Sequence, residues 1–322
     1  ITGQTKGGKT VRPNHQLKNR EGQVMGQGSR NKVQEVLESL TEQVIDKLKR
    51  VQDGEKLSPF ESPWEGDPMP RNFTTNEYYH GVNIFGLWVA AETNNYTSNE
   101  WCTPKQLLAY ARKNKIDVSF KGQKTTPIIK WVDNWEPKEK KTDDGTPNFV
   151  GFWRVFGVLN RCQINGLPTV HVSDKPVIKT RNNIDNWITD LNPIIKDGGD
   201  RAYYHPRHDY IGMPDINKFK SEDHYWNVLF HELTHWTAHE TRLDRTLSLE
   251  KKDYAFEELI AEMGSALISS MMGVPSKINH ESYINGYIKL LKYDYLALRK
   301  AATQAGQAYE YLLNPEKRKE VA

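Results

Sequence analysis

A chain of 322 residues, 37% hydrophobic and 26% charged, carries enough apolar material for two cores, and its balance excludes disordered and fibrous classes. Its two cysteines, Cys102 and Cys162, lie too far apart for a metal-binding pair, and no apolar run reaches membrane length. The expectation is a protein of a reducing cytoplasm with no membrane partner. The net charge of +3 hides an uneven distribution, because residues 101–132 hold Lys105, Arg112, Lys113, Lys115, Lys121, Lys124 and Lys130 against Asp117 alone.

Residues 1–30 are rich in Gly, Gln and Lys without periodicity and read as a flexible basic tail. Over residues 32–50 apolar side chains recur at Val33, Val36, Leu37, Leu40, Val44, Ile45 and Leu48, the spacing of an amphipathic helix. A loop marked by Pro59, Pro63 and Trp64 leads to an apolar segment at 84–91, and a further helix is predicted over 104–113. Strands are predicted over 126–132, 149–159 and 169–172, with clustered Lys, Asp, Pro and Gly at 134–148 marking a long hairpin loop. The first domain, residues 31–175, is therefore expected to be α+β with a predominantly antiparallel sheet.

The second domain, residues 176–322, opens with a predicted helix over 182–195 and short strands over 201–204 and 210–213. An uninterrupted helical pattern from residue 221 then carries His231-Glu232-Leu233-Thr234-His235. Beyond it lie an amphipathic helix from Asp253, a break at Gly273-Val274-Pro275, and helices predicted over 280–302 and 306–319.

Histidines four apart stand on one helical face, so both imidazoles reach a single ion, and Glu232, about 100° around the helix, is placed to handle a proton rather than the metal. A catalytic zinc takes three protein ligands. The positions where a metzincin has its Gly and third His hold Ala238 and Thr241, which leaves a carboxylate. Glu258 on the next helix is assigned as third ligand and Glu262, one turn on, as the acceptor that orients a ligand imidazole; Glu257 could exchange roles with Glu258. Tyr254 is a candidate for stabilising an oxyanion. His224 and His239 extend the histidine stripe and are expected to make ordinary polar contacts.

This pair of helices resembles the gluzincin branch of zinc metallopeptidases. A wider resemblance rests on Pro59, Pro63-Trp64, Pro70-x-Asn72, Tyr79-x-Gly81-x-Asn83, Trp101 with Lys105-Gln106, Lys121-Gly122-x-Lys124-x-x-Pro127, and Val155-Phe156 followed by Asn160-x-x-Gln163-x-x-Gly166-Leu167. Together with the zinc helices these are similar to ArdC-type antirestriction proteins, which join a single-stranded-DNA-binding domain to a zinc-peptidase-like domain. Two positions depart from the pattern: Thr125 replaces a glycine, and Gly157 stands where an Asn follows the Phe.

Lysines neutralise phosphates, and aromatic rings stack on bases that only single strands expose. The expected DNA contacts are Tyr78, Tyr79, Asn83, Trp101, Lys105, Lys121 and Lys124, whereas Phe85, Trp88 and Trp153 sit in apolar runs and are assigned to the core. By resemblance, the strand at 210–213 is the edge that would bind an extended peptide.

The resemblance implies an antirestriction protein of a plasmid or phage, acting in a bacterial cytoplasm, with Zn2+ as cofactor and single-stranded DNA as partner. Two alternatives stand beside it. One is an endopeptidase that cuts a host defence or regulatory protein and uses its DNA-binding domain for localisation; the other is a DNA-associated virion or transfer component with a structural zinc.

Overall fold

The computed structural model describes residues 27–54, 60–64, 67–134, 150–168, 181–245, 251–276 and 283–321. Of the tail expected over 1–30, residues 1–26 lie outside these residues and 27–30 are instead the first turn of a helix; the loop beyond Asn134 and the strand expected at 169–172 also lie outside.

The first half of the chain builds α1 (Gln27–Gln52), β1 (Arg71–Asn72), β2 (Glu77–Tyr78), α2 (Val82–Asn94), β3 (Glu100–Cys102), α3 (Pro104–Asn114), β4 (Thr126–Asn134) and β5 (Val150–Asn160). α3 starts where expected because Thr103 accepts from Gln106 N and Gln106 reaches back to Thr103 N, a reciprocal cap with Pro104 at the first helical position. The strands form one sheet in the order β2-β1-β3-β5-β4, antiparallel except for the β1–β3 pair. β4 is thus an edge, and its outer side is closed by a side chain. Asn83 donates to Ile129 O at 2.8 Å and accepts from Ile129 N at 2.9 Å, as a neighbouring strand would.

The second half contains α4 (Arg181–Leu191), β6 (Ile194–Asp197), β7 (Tyr203–His205), β8 (Tyr210–Met213), α5 (Glu222–Trp236), α6 (Lys251–Met272), α7 (Ile284–Tyr293), α8 (Ala297–Leu313) and α9 (Pro315–Val321). The helix expected over 182–195 stops at Leu191, because Asn192 turns left-handed at φ 53° and Pro193 cannot continue a helix, so residues 194–197 are released into a strand. The helix expected over 280–302 is likewise two helices, α7 and α8, broken at Asp294, whose carboxylate accepts from Leu296 N at 2.9 Å.

In the second sheet the order is β6-β8-β7. The segment 210–213 is therefore the middle strand, paired with β6 on one side and β7 on the other, and has no edge to offer a peptide. The edges are β6 and β7.

α5 and α6 cross closely. A Cβ on Gly264 would come within 2.8 Å of Thr234 Oγ1, so glycine permits the contact. Buried Asn227 spends its amide across the same crossing, donating to Asp223 O and Pro275 O and accepting from Ser269 Oγ. The largest apolar core ignores the chain's halves: Leu37, Val44, Phe85 and Trp88 pack in one cluster with Leu259, Met263, Tyr287, Leu298 and Ala301. A second cluster joins β8 to α5 and α6 through Ile211, Met213, Leu229, Leu233 and Ile268.

Candidate metal centre and nucleic-acid interface

α5 begins at Ser221, whose hydroxyl accepts from His224 N, and Glu222 and Asp223 complement the positive end of the helix. Ten turn-facing and core-facing positions of this helix are buried, so its register is fixed on all sides. On that scaffold His231 and His235 direct their Nε2 atoms at one another, 3.1 Å apart. Glu258 on α6 closes the third side, with its two oxygens 3.5 Å from His231 Nε2 and His235 Nε2. One ligand atom from each residue lies within 4.8 Å of the others, and all three residues are buried.

The outer ring nitrogens face carboxylates as well. His231 Nδ1 is 3.5 Å from Glu262, and His235 Nδ1 is 3.2 Å from Glu257. Of the two adjacent acids, Glu258 stands where a third ligand would and Glu257 stands behind His235. Glu257 is in turn held by Arg245 at 2.8 Å, and Arg245 also donates to Thr237 Oγ1 and Thr234 O at the end of α5. No sequence motif marks Arg245; the fold alone brings it there.

Charge follows geometry. Burial disfavours charge on Glu258, but its hydrogen bonds from His231 and His235 win and hold its pKa far below the usual carboxylate range. Burial opposes the His235 cation too, yet hydrogen bonds to Glu257 and Glu258 raise its pKa to about 9. Glu232 differs: burial raises its pKa, the two histidines lower it in part, and a backbone N–H from Tyr204 on β7 accompanies them. It is a buried carboxyl poised to hold a proton.

Tyr254 places its hydroxyl 3.1 Å from that of Tyr283, and burial, with that hydrogen bond and the nearby Glu258 carboxylate, drives its pKa upward. His239 contacts Thr241 at 2.9 Å, the ordinary polar contact expected of it.

The DNA-contact candidates divide. Trp101 is fully buried and presents no face to a base, because β3 is an inner strand of the sheet. Asn83 has spent its amide on Ile129. Tyr79 packs against the core with its pKa raised by burial. The Trp101 and Asn83 assignments are corrected, since these two side chains build the module; Tyr79 stays half-buried beside them. Tyr78 is 36% exposed and donates to Asp67 at 2.8 Å, while Lys105, Lys121 and Lys124 are exposed. The two departures from the family pattern face each other, since a Cβ at position 157 would come within 2.8 Å of Thr125 Cβ.

A small α+β module followed by paired helices with a His-His-Glu constellation defines a class of protein: an α+β module fused to a zincin-like domain. Family models agree, matching residues 34–156 to the N-terminal domain of anti-restriction factor ArdC and residues 182–304 to the zincin-like metallopeptidases. The crystal structure of metal-free antirestriction ArdC protein from the R388 plasmid is 30% identical, with a TM-score of 0.70 over 88% of this chain and 98% of that one. Its Mn(II)-bound structure matches with a TM-score of 0.64, over 86% of this chain and 97% of that one. The chain belongs to the ArdC family of antirestriction proteins. An uncharacterised protein, y4eC, of Sinorhizobium fredii is 28% identical over 86% of this chain and 91% of its own length. Two Escherichia coli proteins called DNA primase TraC are each 31% identical over 86% of this chain, which spans only 20% and 27% of their lengths.

Proposed function

We propose that the chain is an antirestriction protein of a mobile element that binds single-stranded DNA through its first module and hydrolyses peptide bonds at a zinc site in its second. Its role on this reading is to protect incoming DNA from host nucleases. The observation that carries the metal half is the pair of Nε2 atoms directed at each other 3.1 Å apart with a carboxylate against both; with each Nδ1 facing a carboxylate of its own, the inner lone pairs converge on one point that a cation can occupy. The donor set of two imidazoles and one carboxylate fits zinc, and the ArdC relative is described as binding Mn(II).

When bound, zinc lowers the pKa of its water to about 7 and polarises the scissile carbonyl. His231, His235 and Glu258 would hold it. Glu232 takes the proton from the attacking water and passes it to the leaving amine, with the amide of Tyr204 fixing the carboxylate. Glu262 and Glu257 keep the histidine Nδ1 atoms as donors, which leaves each Nε2 lone pair for the metal. For the DNA half, none of the seven cations of 101–132 forms an ion pair among the described residues, so their charge is left for a polyanion. The kinship with DNA primases favours a role on DNA over a peptidase acting away from it.

The test is Glu232→Gln beside His231→Ala/His235→Ala. Glu232→Gln is expected to keep one equivalent of metal by mass spectrometry and to lose about 10²–10⁴-fold in peptide cleavage. The double variant is expected to lose the metal. Protection of transferred DNA in a restricting recipient then assigns the biological role: retained by Glu232→Gln, it rests on DNA binding; lost, it rests on hydrolysis. Full metal content in the double variant would sink the site assignment.

A further inference from the structure

Between α1, the C-terminal half of α2 and the turn at 121–127 the first module holds an open groove of about 600 Å³, within the range of about 300–1,000 Å³ usual for ligand sites. Its apolar wall is Val36 and Leu40 of α1 against Gly86 and Ala90 of α2. Gly86 and Ala90 lie one helical turn apart, and their small size opens the space. At one end stands Tyr96, its ring half-buried and edge-on to fully buried Trp101, with centroids 5.9 Å apart. Trp101 thus braces an aromatic ring that lines the groove, although it is itself closed to solvent. The Tyr96 hydroxyl has no hydrogen-bond partner among the described residues.

The opposite wall is preformed. Gly122 takes φ 80°, and buried Gln163 donates to Lys124 O at 2.9 Å and to Gln123 Oε1 at 3.3 Å while accepting from Asn160 N at 2.8 Å. The turn is therefore held without a ligand; exposed Lys124 lines the groove, exposed Lys121 precedes it in the same turn, and neither has a carboxylate partner among the described residues.

We propose that this groove seats a nucleotide of single-stranded DNA, its base against Tyr96 and the Gly86–Ala90 wall and its phosphate at Lys124 and Lys121. A flat aromatic seat, the amide atoms that Ser39, Ala90 and Gln163 leave unused on Gln43, Asn94 and Gln123, and the cations of the turn together match a splayed-out nucleotide. A base inside a duplex has neither a free face nor a free Watson–Crick edge to offer such a slot. Glu35 is the lining carboxylate; it repels phosphate and accepts from an exocyclic amine, which orients the phosphate toward the turn.

This assignment rests on the reading that the first module binds single-stranded DNA, and the experiment separates the two. Fluorescence anisotropy with labelled single-stranded and duplex oligonucleotides is measured on the full chain, on Tyr96→Ala, Tyr96→Phe and Lys124→Ala, and on Lys289→Ala, an exposed lysine of α7 away from the groove, as a control. Tyr96→Ala is expected to weaken single-strand binding about 5- to 150-fold, the worth of one base stacked on an aromatic ring, while Tyr96→Phe binds nearly as the parent does. Photocrosslinking of the unaltered protein to a 5-iodouracil strand, read by peptide mass spectrometry, is expected to label Tyr96. Parent-like binding by both alanine variants with cross-links only outside the groove overturns the assignment and leaves the DNA-binding reading standing. Absence of single-strand binding by the parent chain overturns both.

Discussion

His235 has a carboxylate on each ring nitrogen, Glu257 at 3.2 Å and Glu258 at 3.5 Å, and this decides how the metal-free site titrates. Its pKa of about 9 lies above the usual value, so its proton stabilises the metal-free fold fully below about 6.5, the unfolded value. That contribution is lost as pH rises through 9. A metal ion must displace the same proton, so apparent zinc affinity should climb over this window, with proton release seen by calorimetry in buffers of different ionisation enthalpy. An affinity flat between pH 6.5 and 9 contradicts the assignment. Glu257→Gln removes the charged acceptor behind His235 and leaves Arg245 facing a neutral amide; a loss of about 10–100-fold in zinc affinity is expected from competition with a chelating dye.

At the scale of elements, the β4–β5 hairpin explains two residues that break their family's pattern. Thr125 fills the space over Gly157, so each substitution accommodates the other. Gly157→Asn alone should cost about 1–3 kcal/mol by overpacking. With Thr125→Gly in the same chain the clash disappears, and urea melts of the cycle should show a coupling of about 0.5–3 kcal/mol that favours the double variant. Additive effects would mean that the two positions do not meet. The second sheet carries a similar lesson, because β7 is both an edge strand and the source of the amide held by Glu232. Its Tyr204 is tied down by Asp209, whose carboxylate also binds Arg242 at 3.0 Å, and Arg242 lies over Trp236 at the end of α5. The strand and the metal-site helix are therefore positioned as one piece.

For the molecule as a whole, the boundary expected near residue 175 separates two family matches but not two cores. α1 packs on α7 and β5, and its Leu37 and Val44 share a cluster with Leu259 and Met263 from the helix that carries Glu258. The first module and the helix that carries Glu258 thus support each other directly. Unfolding in urea should be one transition, with tryptophan fluorescence and metal release coinciding. Leu37→Ala, in the first module, should cost about 2–5 kcal/mol and bring both probes to lower denaturant. Two separated transitions would show that the halves fold independently.

The sequence alone determined what local periodicity encodes. The four-residue spacing of His231 and His235, the one-turn spacing of Glu258 and Glu262, and the apolar stripes of α1 and α6 are properties of a helix, and they could be read without knowing what lies opposite. Tertiary structure decided everything that depends on a partner distant in the chain. It buried Trp101 and left Tyr96 lining the groove, although both are aromatic residues in similar surroundings, because β3 is covered on both sides by elements elsewhere in sequence. It turned Asn83 from a ligand contact into a cap on β4, made 210–213 a central strand, and chose Glu258 over Glu257 by the direction in which α6 crosses α5. Residue type sets what a side chain can do, but exposure and direction are set by packing between elements that no local pattern specifies.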